Sequence, residues 1–180
     1  MNQVRIIGGE WKRRLISFEN IDGLRPTPDR VRETLFNWLM WDTAGKQVLD
    51  VCAGSGALGF EALSRGAAHC TFIEPHVKQA TQLRQNLLKL QASNAQVINK
   101  KAEAALPLLQ QPFDLVFLDP PYSLNLWEHL ALLLQSHLAV HAKVYVEADR
   151  PLSQLVLPAN WQLSKQTRAG QVYAGLYETV

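Results

Sequence analysis

Val48-Leu-Asp-Val-Cys-Ala-Gly-Ser-Gly-Ala-Leu-Gly59 is an apolar strand pattern that runs into a glycine-rich turn and then into a helical pattern. Its last six residues, from Gly54 to Gly59, also satisfy the dinucleotide fingerprint G-x-G-x-x-G, which is weak evidence when it stands alone. Beyond Asp50, apolar strands alternate with helical stretches along the chain. This alternation predicts βαβ units and an α/β fold of the doubly wound class with a mainly parallel sheet.

The individual elements follow the same alternation. The sequence predicts strands near 47–52, 69–74, 96–99, 113–118 and 143–148, with helices from the glycine turn to Gly66, over 76–91, over 102–110 and over 124–138. Ser123 is the expected cap of the last of these helices. The apolar stripe of the second is expected to comprise Val77, Ala80, Leu83, Leu87, Leu88 and Leu90. Stretches 161–168 and 172–179 are expected to form an antiparallel hairpin around Ala169-Gly170.

The acids around the glycine turn favour one cofactor over another. In a dinucleotide site a pyrophosphate lies on the helix N-terminus at the glycines, and the Asp50 carboxylate, four residues before Gly54, would repel it. The same carboxylate could bind the cationic amino-acid headgroup of S-adenosylmethionine. Glu74 ends the second strand, where an acid accepts hydrogen bonds from a ribose, and both cofactors carry a ribose diol.

Ligands of open α/β sheets bind outside the carboxyl ends of the strands. Three acids, Asp50, Glu74 and Asp119, are expected to converge there. Lys101, Ala102 and Glu103, just past the third strand, are the expected adenine-side wall. The full set of predicted cofactor-binding residues is Asp50, Ala53, Gly54, Gly56, Glu74, Pro75, Ala102 and Asp119.

A second motif, Asp119-Pro-Pro-Tyr122, follows the apolar run 113–118. Proline fixes φ at about −65° and donates no N–H, so this turn presents carbonyl groups, while Tyr122 offers a face for stacking. A carboxylate, carbonyls and an aromatic ring together suit a planar amine such as the exocyclic NH₂ of a nucleobase. Asp119, Pro120, Pro121 and Tyr122 are therefore the candidate catalytic residues. A Pro-Pro that only ends a strand is the alternative, and the upstream glycine motif weakens it.

The first 45 residues lie outside the alternating array. The stretch 4–18 predicts two short strands separated at Gly8-Gly9, and a helix is expected to follow, with Thr27 as its N-cap, Pro28 at its first position and Asp29 near its positive end. The side chains expected to face the main domain are Val31, Leu35, Trp38 and Leu39, with Arg30 and Arg32 off that stripe. We therefore divide the chain into an extension, 1–45, that is expected to contact RNA, and a domain, 46–180, that is expected to bind S-adenosylmethionine.

The extension is rich in basic side chains, which suits contact with a phosphate backbone. The net charge of +2 for the whole chain is too small to indicate a nucleic-acid partner, so their position near the N-terminus matters more. The residues expected to contact RNA are Arg5, Lys12, Arg13, Arg25, Thr27, Arg30 and Arg32.

The composition limits the class of protein. With 180 residues and 47% hydrophobic content, the chain is expected to form one core, without a large second domain. It has no apolar run near the roughly 18 to 20 residues of a membrane span and no signal-peptide pattern, so a cytoplasmic protein is expected. Cys52 and Cys70 are expected to be buried apolar residues rather than disulfide partners. The five histidines show no metal-binding spacing, so no metal site is predicted.

Four stretches together resemble the bacterial RsmD-type 16S ribosomal RNA guanine-N2 methyltransferases. They are Gly8-Gly9 with the basic residues after it, Gly23-Leu-Arg-Pro-Thr-Pro-Asp-Arg-Val-Arg-Glu-Thr-Leu-Phe-Asn-Trp-Leu39, Leu49-Asp-Val-Cys-Ala-Gly-Ser-Gly-Ala-Leu-Gly59 and Asp119-Pro-Pro-Tyr122. The resemblance spans essentially the whole chain, including Gly170-Gln-Val-Tyr173. The glycine and Asp-Pro-Pro-Tyr motifs occur in many amino-group methyltransferases, so the stretch 23–39 carries the family assignment. Lys101 departs from the family pattern, in which this position often has a small or acidic residue. The departure concerns the predicted adenine-side wall and not the reaction.

The resemblance implies a seven-stranded, Rossmann-like methyltransferase sheet with an antiparallel last strand, preceded by a small N-terminal β-hairpin and helix. It also implies S-adenosylmethionine as the cofactor and methyl transfer to N2 of one guanine in 16S ribosomal RNA. The partner is expected to be the assembled or assembling small ribosomal subunit, and a monomer is expected.

Other functions remain open from the residues alone. A DNA adenine-N6 methyltransferase uses the same Asp-Pro-Pro-Tyr motif to bind its target amine. Such an enzyme usually carries a target-recognition domain, for which this chain has no room. A protein-glutamine methyltransferase more often has Asn at position 119. The interpretation as an NAD-dependent oxidoreductase is supported only by the glycine motif from Gly54 to Gly59. The sequence shows no catalytic His, Tyr-Lys or Cys arrangement for it. A non-catalytic RNA-binding protein is the last alternative.

Overall fold

The computed structural model describes residues 2–180 as two β-sheets with flanking helices. The strands are β1 (Asn2–Arg5), β2 (Leu15–Phe18), β3 (Gln47–Asp50), β4 (His69–Ile73), β5 (Ala95–Ile98), β6 (Phe113–Leu118), β7 (Leu138–Ala148), β8 (Trp161–Ala169) and β9 (Val172–Thr179). The helices are α1 (Asp29–Trp38), α2 (Ala57–Ser64), α3 (Val77–Lys89), α4 (Ala102–Ala105) and α5 (Trp127–Leu134). Short 3₁₀ helices cover Leu106–Leu108, Tyr122–Leu124, Gln135–His137 and Leu152–Gln154.

The main sheet has seven strands in the order β5-β4-β3-β6-β7-β9-β8. Strands β3 to β7 pair in parallel, whereas β9 is antiparallel to both β7 and β8. The chain moves outward from β3 through β4 to β5 and then returns to β6 on the other side of β3. The predicted fold class is confirmed, and the reversal of strand order places the ligand-binding crevice between β3 and β6.

The two faces of this sheet bury separate apolar clusters. On β6, Leu115 and Phe117 belong to one cluster, and Val116 and Leu118 belong to the other. This alternation follows from the two-residue period of a strand. Helices α1, α2 and α3 cover the first face and α4 and α5 cover the second. The central parallel strands are therefore covered on both faces, as expected for a parallel sheet, whereas the edge strand β8 is largely exposed.

The N-terminal hairpin is bonded to helix α2 rather than standing apart from the main domain. The buried carboxylate of Glu61 accepts hydrogen bonds from the backbone N–H groups of Ile7 and Gly8, both at 2.9 Å. Ser64 Oγ donates to the Gly8 carbonyl and accepts from the Trp11 N–H. The predicted hairpin is therefore present, and α2 supplies the polar groups that hold the connection between its strands.

The environment of Arg32 corrects one prediction. Arg32 was expected to lie off the buried stripe of α1, yet only 1% of its surface is exposed. Its guanidinium group pairs with Glu61 and Asp29 and donates to the Arg5 and Thr27 carbonyls. A buried charge is tolerated when it is paired and fully hydrogen-bonded, and α2 supplies the partner.

Two helix starts also differ from the prediction. Thr27 is not the N-cap of α1, because Pro28 occupies that position and the Thr27 hydroxyl bonds to Glu147. Ser123 does not cap a helix: it lies in the 3₁₀ helix Tyr122–Leu124, which ends at Asn125 with φ of 49°. Helix α5 begins only at Trp127, because a left-handed residue interrupts the helix before it.

The predicted stripe of α3 is correct at Ala80, Leu83 and Leu87, which are buried with Leu90 just beyond the helix. It is wrong at Val77 and Leu88, which are 67% and 78% exposed. Both residues lie outside the face that α3 turns toward the sheet. No helix within residues 2–180 has the length and apolar character needed to cross a membrane.

We predict that replacing Arg32 with Met lowers the free energy of unfolding by about 3 kcal/mol, because it removes one partner of a buried ion pair. Glu61 would retain only Arg65 as a cationic partner. Urea denaturation of the Arg32→Met variant measures the change. Arg30→Met, at an exposed position of the same helix, is the matched control and should change stability by less than about 0.5 kcal/mol. Equal stabilities of the two variants would contradict the assignment.

Candidate active site

The glycine turn after β3 depends on two left-handed residues. Gly54 has φ of 54° and Gly56 has φ of 80°, values that side chains other than glycine rarely adopt. A Cβ on Gly56 would also lie 2.6 Å from Leu83 Cδ2 and 2.7 Å from the Phe60 ring. The turn can therefore close tightly onto the start of α2 only with glycine at these positions.

Both backbone polar groups of Gly54 are held by side chains from the second βα unit. Its N–H donates to Glu74 Oε1 at 3.0 Å, and its carbonyl accepts from Gln79 Nε2 at 2.6 Å. Glu74 Oε2 accepts from the His76 N–H at 2.8 Å. Burial raises the pKa of Glu74, while these two backbone donors act in the opposite direction. Glu74 therefore fixes the glycine turn while lying at the end of β4, as the sequence predicted.

Asp50 lies beneath the glycine turn. Only 2% of its surface is exposed, and its Oδ2 accepts a hydrogen bond from the Gly59 N–H, in the first turn of α2, at 3.1 Å. Burial and, to a smaller extent, the charge of Glu74 raise the pKa of Asp50 to about 7, while the Gly59 hydrogen bond acts in the opposite direction. One carboxylate oxygen is thus committed to the protein's own backbone, which the sequence did not indicate.

The other predicted cofactor residues surround the same end of the sheet. Ala53 is buried, and its N–H donates to the Ile73 carbonyl. Pro75 is exposed beside Asn99, whose side-chain amide donates to the Glu74 and Pro75 carbonyls. Ala102 is buried at the start of α4. These residues follow β4 and β5 and so lie at the carboxyl edge of the sheet with the glycine turn.

The Asp-Pro-Pro-Tyr motif follows β6 at the same edge. Phe117 pairs with Asp50 across the parallel strands, so Asp119 lies two residues beyond that pair. Burial raises the pKa of Asp119 well above its ordinary value, and the neighbouring charges of Glu147 and Asp50 raise it further. The predicted convergence of acids from β3 and β6 is therefore present.

Tyr122 is half-buried and fixed at both its ring and its hydroxyl group. The ring packs against Trp127, with centroids 6.1 Å apart and planes inclined by 24°. The hydroxyl donates to Glu147 Oε2 at 3.0 Å. Burial raises the pKa of Tyr122, as do the charges of Glu147 and Asp119, so the phenol remains a neutral donor.

Glu147 is a site residue that sequence reasoning missed. It lies near the carboxyl end of β7, is 4% exposed, and accepts hydrogen bonds from three hydroxyl groups. One of them belongs to Thr27, which is 5% exposed, so the prediction that Thr27 contacts RNA is wrong in this structure. A charged residue inside the apolar run 143–148, two positions after Tyr145, was the signal that could have indicated it.

The predicted RNA-contacting cations separate into three groups. Arg5, Lys12 and Arg13 are exposed on the N-terminal hairpin. Arg25 and Arg30 are exposed near α1, and the prediction of Arg32 as an RNA contact is wrong because its side chain is buried.

Arg30 is bonded to a second exposed cation, Arg168, near the carboxyl edge of the main sheet. Arg30 Nη2 donates to the Arg168 carbonyl at 2.8 Å, and the Arg168 guanidinium lies 4.5 Å from the centre of the Tyr173 ring. Because Tyr173 pairs with Ala148 at the end of β7, this group lies at the carboxyl edge of the sheet. We call Arg30, Arg168 and Tyr173, together with the exposed Arg25 in the segment that leads into α1, the basic rim. The sequence did not indicate Arg168 or Tyr173.

The charge of the crevice fits a cationic ligand. Within the described chain, no Lys or Arg forms an ion pair with Asp50, Glu74, Asp119 or Glu147. A pyrophosphate would lie beside these acids without a paired cation, whereas a sulfonium with an ammonium group would meet opposite charge wherever the acids are ionised. The donor set therefore suits S-adenosylmethionine better than a dinucleotide. Among residues 2–180, no cluster of three or more His, Cys, Asp or Glu side chains is arranged to hold a metal ion.

Comparisons with known proteins cover nearly the whole chain. A family model described as conserved hypothetical protein 95 matches residues 4–178. The ribosomal RNA small subunit methyltransferase D of Escherichia coli strain K12 is 47% identical over 98% of this chain and 90% of its own. The protein of that name from Haemophilus influenzae is 46% identical over 98% of this chain and 94% of its own.

A solved structure matches equally well. The yhhF protein from Escherichia coli superimposes with a TM-score of 0.89 at 46% identity, covering 99% of this chain and 98% of that chain. The seven-stranded sheet, the glycine turn and the N-terminal extension thus belong to one shared architecture.

We predict that Asp50 makes the free protein less stable as pH rises. Its pKa in the unfolded chain is 3.8 and in the folded protein about 7, so the unfolded state loses its proton first and stability falls between these pH values. At 1.36 kcal/mol for each pH unit, the loss is on the order of 4 kcal/mol. Denaturation of the Asp50→Asn variant from pH 4 to pH 8 should show a smaller decline than the parent. Asp22→Asn, at an exposed acid, is the control and should retain the parental decline.

Proposed function

The chain belongs to the RsmD-type methyltransferase family, and we propose that it transfers a methyl group from S-adenosylmethionine to the exocyclic N2 amine of a guanine in 16S ribosomal RNA. The observation that carries this proposal is the meeting of the Asp-Pro-Pro-Tyr motif with an acid-lined glycine turn at one edge of the sheet. The assembled or assembling small ribosomal subunit is the proposed substrate. Residues 46–180 are proposed to hold the cofactor and residues 1–45 to contact the RNA.

The cofactor is proposed to lie across the carboxyl ends of β3, β4 and β5. When bound, it supplies an electrophilic methyl group on a positively charged sulfur. The free oxygen of Asp50 would face the ammonium group, and Glu74 would accept from the ribose hydroxyls. The backbone of Ala53, Gly54 and Gly56 would line the amino-acid end, with Pro75 and Ala102 at the adenine. Asp119 would face the sulfonium, whose charge favours the ionised carboxylate.

Asp119 and the Pro120 carbonyl are proposed to accept the two N–H groups of the guanine amine. This pulls the nitrogen toward tetrahedral geometry and exposes its lone pair. The nitrogen–carbon bond forms while the carbon–sulfur bond breaks and its electron pair remains on sulfur. Positive charge develops on the nitrogen during attack, so the Asp119 carboxylate stabilises the transition state more than the ground state. The methylated amine then releases its proton to water.

Tyr122 and the basic rim are proposed to hold the RNA. One side of the Tyr122 ring packs against Trp127, and the other would stack on a base turned out of its loop, as RNA bases are commonly bound. Pro121 is exposed beside it and would shape the entrance. The cations at 25, 30 and 168 would bind the phosphates next to that base, and Arg5, Lys12 and Arg13 would contact more distant ones.

The alternatives have less support. The curated relatives that match nearly the full chain are named for ribosomal RNA, which favours RNA over DNA as the substrate. The acids of the crevice lack cationic partners within residues 2–180, which disfavours the pyrophosphate of an NAD-dependent oxidoreductase.

A methyl-transfer assay with labelled S-adenosylmethionine tests the proposal. Small ribosomal subunits from cells lacking the enzyme are offered beside naked 16S ribosomal RNA and DNA, and the modified nucleosides are identified by mass spectrometry. N2-methylguanosine from the subunits is the expected product. N6-methyladenine from DNA, or no transfer by protein that binds the cofactor, would overturn the assignment.

We predict that Asp119→Asn lowers kcat by about 100-fold or more, because the amide keeps the shape but loses the charge that stabilises the developing cation. Cofactor affinity, measured by calorimetry, should change by less than about threefold. Glu128→Gln, the same chemical change at an exposed position of α5, is the control and should retain parental kcat. A parental rate in Asp119→Asn would remove this residue from the mechanism.

We predict that Arg25→Ala, Arg30→Ala and Arg168→Ala each weaken RNA binding and reduce its salt dependence. Each lost phosphate contact should lower the slope of log affinity against log salt by about 0.7 to 0.9. Filter binding at several salt concentrations measures the slope. Lys46→Ala, just before β3 and so at the opposite edge of the sheet, is the control. A parental slope in the triple variant would relocate the RNA surface.

A further inference from the structure

The carboxylate of Glu147 has an environment that packing alone does not explain. Its Oε1 accepts hydrogen bonds from the Tyr145 hydroxyl at 2.6 Å and the Thr27 hydroxyl at 2.8 Å, and its Oε2 accepts from Tyr122. In the part of the chain that the structure describes, no Lys or Arg is paired with it. A buried acid without a cationic partner is less favourable than an apolar side chain of similar size.

The three hydroxyl groups belong to different parts of the molecule. Tyr145 is part of the sheet, Tyr122 belongs to the proposed catalytic motif, and Thr27 belongs to the segment that carries Arg25. Leu24 of that same segment lies over the glycine turn, since a Cβ on Gly54 would be 2.8 Å from Leu24 Cδ1. Glu147 is therefore bonded both to the proposed RNA-contacting segment and to the proposed catalytic motif.

The main chain of Glu147 strengthens the same connection. Its carbonyl accepts a hydrogen bond from Trp127 Nε1 at 2.9 Å, and Trp127 packs against the Tyr122 ring. One residue thus fixes the hydroxyl of Tyr122 directly and its ring through Trp127.

Glu147 also contributes to the charge around Asp119. The ionisable groups that face Asp119 come from three surrounding elements. They are Asp50 at the end of β3 and Cys52 just after it, Tyr122 in its own motif, and Tyr145 and Glu147 on β7. Of these, Glu147 has the largest effect on Asp119 after burial itself, and it raises the pKa of Asp119.

We propose that Glu147 is a positioning residue that joins the RNA-contacting segment to the catalytic motif. Its buried carboxylate holds Thr27 and Tyr122 in fixed positions relative to each other. This inference rests on the proposed function and deepens it. Glu147 contacts neither the amine nor the methyl group. It sets the orientation of Tyr122, and its negative charge acts on the neighbouring carboxyl group of Asp119. RNA held by Arg25 is thereby connected to the reacting base through Thr27, Glu147 and Tyr122.

The first test is Glu147→Gln, which keeps the size of the side chain and removes its charge. We expect kcat on small subunits to fall by about 10- to 100-fold, with cofactor affinity within about threefold of the parent. The acidic limb of the kcat profile should move to lower pH, because removing the neighbouring charge lowers the pKa of Asp119 and keeps it ionised further into acid. A purely structural role would not move this limb.

The second test is a double-mutant cycle between the two ends of the connection. Thr27→Val and Tyr122→Phe each remove one hydroxyl group and keep the shape, and each should lower kcat. In the Glu147→Gln background, Thr27→Val should cause a smaller further loss, because the neutral amide oxygen accepts the Thr27 hydrogen bond more weakly than the carboxylate does. Thr43→Val is the matched control, since Thr43 is a buried threonine whose hydroxyl donates to the Leu39 carbonyl. It should retain parental kcat.

The outcomes separate this inference from the proposed function. A Glu147→Gln protein with parental kcat and an unchanged pH profile would overturn the positioning role while leaving methyl transfer intact. Failure of the parent chain to methylate would instead overturn the proposed function. Should Glu147→Gln not fold, the cycle of Thr27→Val with Tyr122→Phe decides: non-additive losses support the connection, and losses that simply multiply contradict it.

Discussion

The parallel pairing of β3 with both β4 and β6 is the constraint on which the candidate site depends. This pairing makes β3 the strand at which the chain reverses its direction across the sheet, so that the loops after β3 and β6 diverge and leave a crevice. Asp50, Glu74 and Asp119 reach this crevice because each follows or ends a strand that points the same way. Their separation of almost 70 residues in sequence becomes proximity only through that pairing.

The protein accepts an electrostatic cost at this edge. Acids are gathered in a region with little solvent, and burial raises the pKa of Asp50, Glu74 and Asp119 alike. Backbone N–H groups of the glycine turn and of α2 offset part of the cost at Asp50 and Glu74. A positively charged ligand would offset the remainder, so the free protein is preorganised for a cation rather than for an anion.

Much of this arrangement was predictable from local patterns. The strand and helix periods fixed the order of the elements, and the acids at the ends of the strands were found because parallel strands bring their carboxyl ends together. Some errors were local, at the helix cap predicted for Ser123 and at the exposed Val77 and Leu88 of α3. The errors that bear on the site concern side chains whose partners are distant in sequence. Arg32 is buried because Glu61, 29 positions away, is its partner. The Thr27 hydroxyl donates to the carboxylate of Glu147, which is 120 positions away. Glu147 could not be recognised from a sequence motif, because the three hydroxyl groups that bond to it come from three separate segments.

The anchoring of the N-terminal extension has a consequence for substrate choice. Glu61 binds the backbone after β1, Arg32 of α1 and Arg65 at the end of α2, so one buried carboxylate ties the extension to the helix that follows the glycine turn. An extension held by these buried bonds would keep its position relative to the proposed cofactor site. If RNA docks on the extension as proposed, the distance from the bound phosphates to the transferred methyl group would be constant. The target guanine would then be selected by its distance from the RNA structure that the extension binds, rather than by the identity of the neighbouring nucleotides.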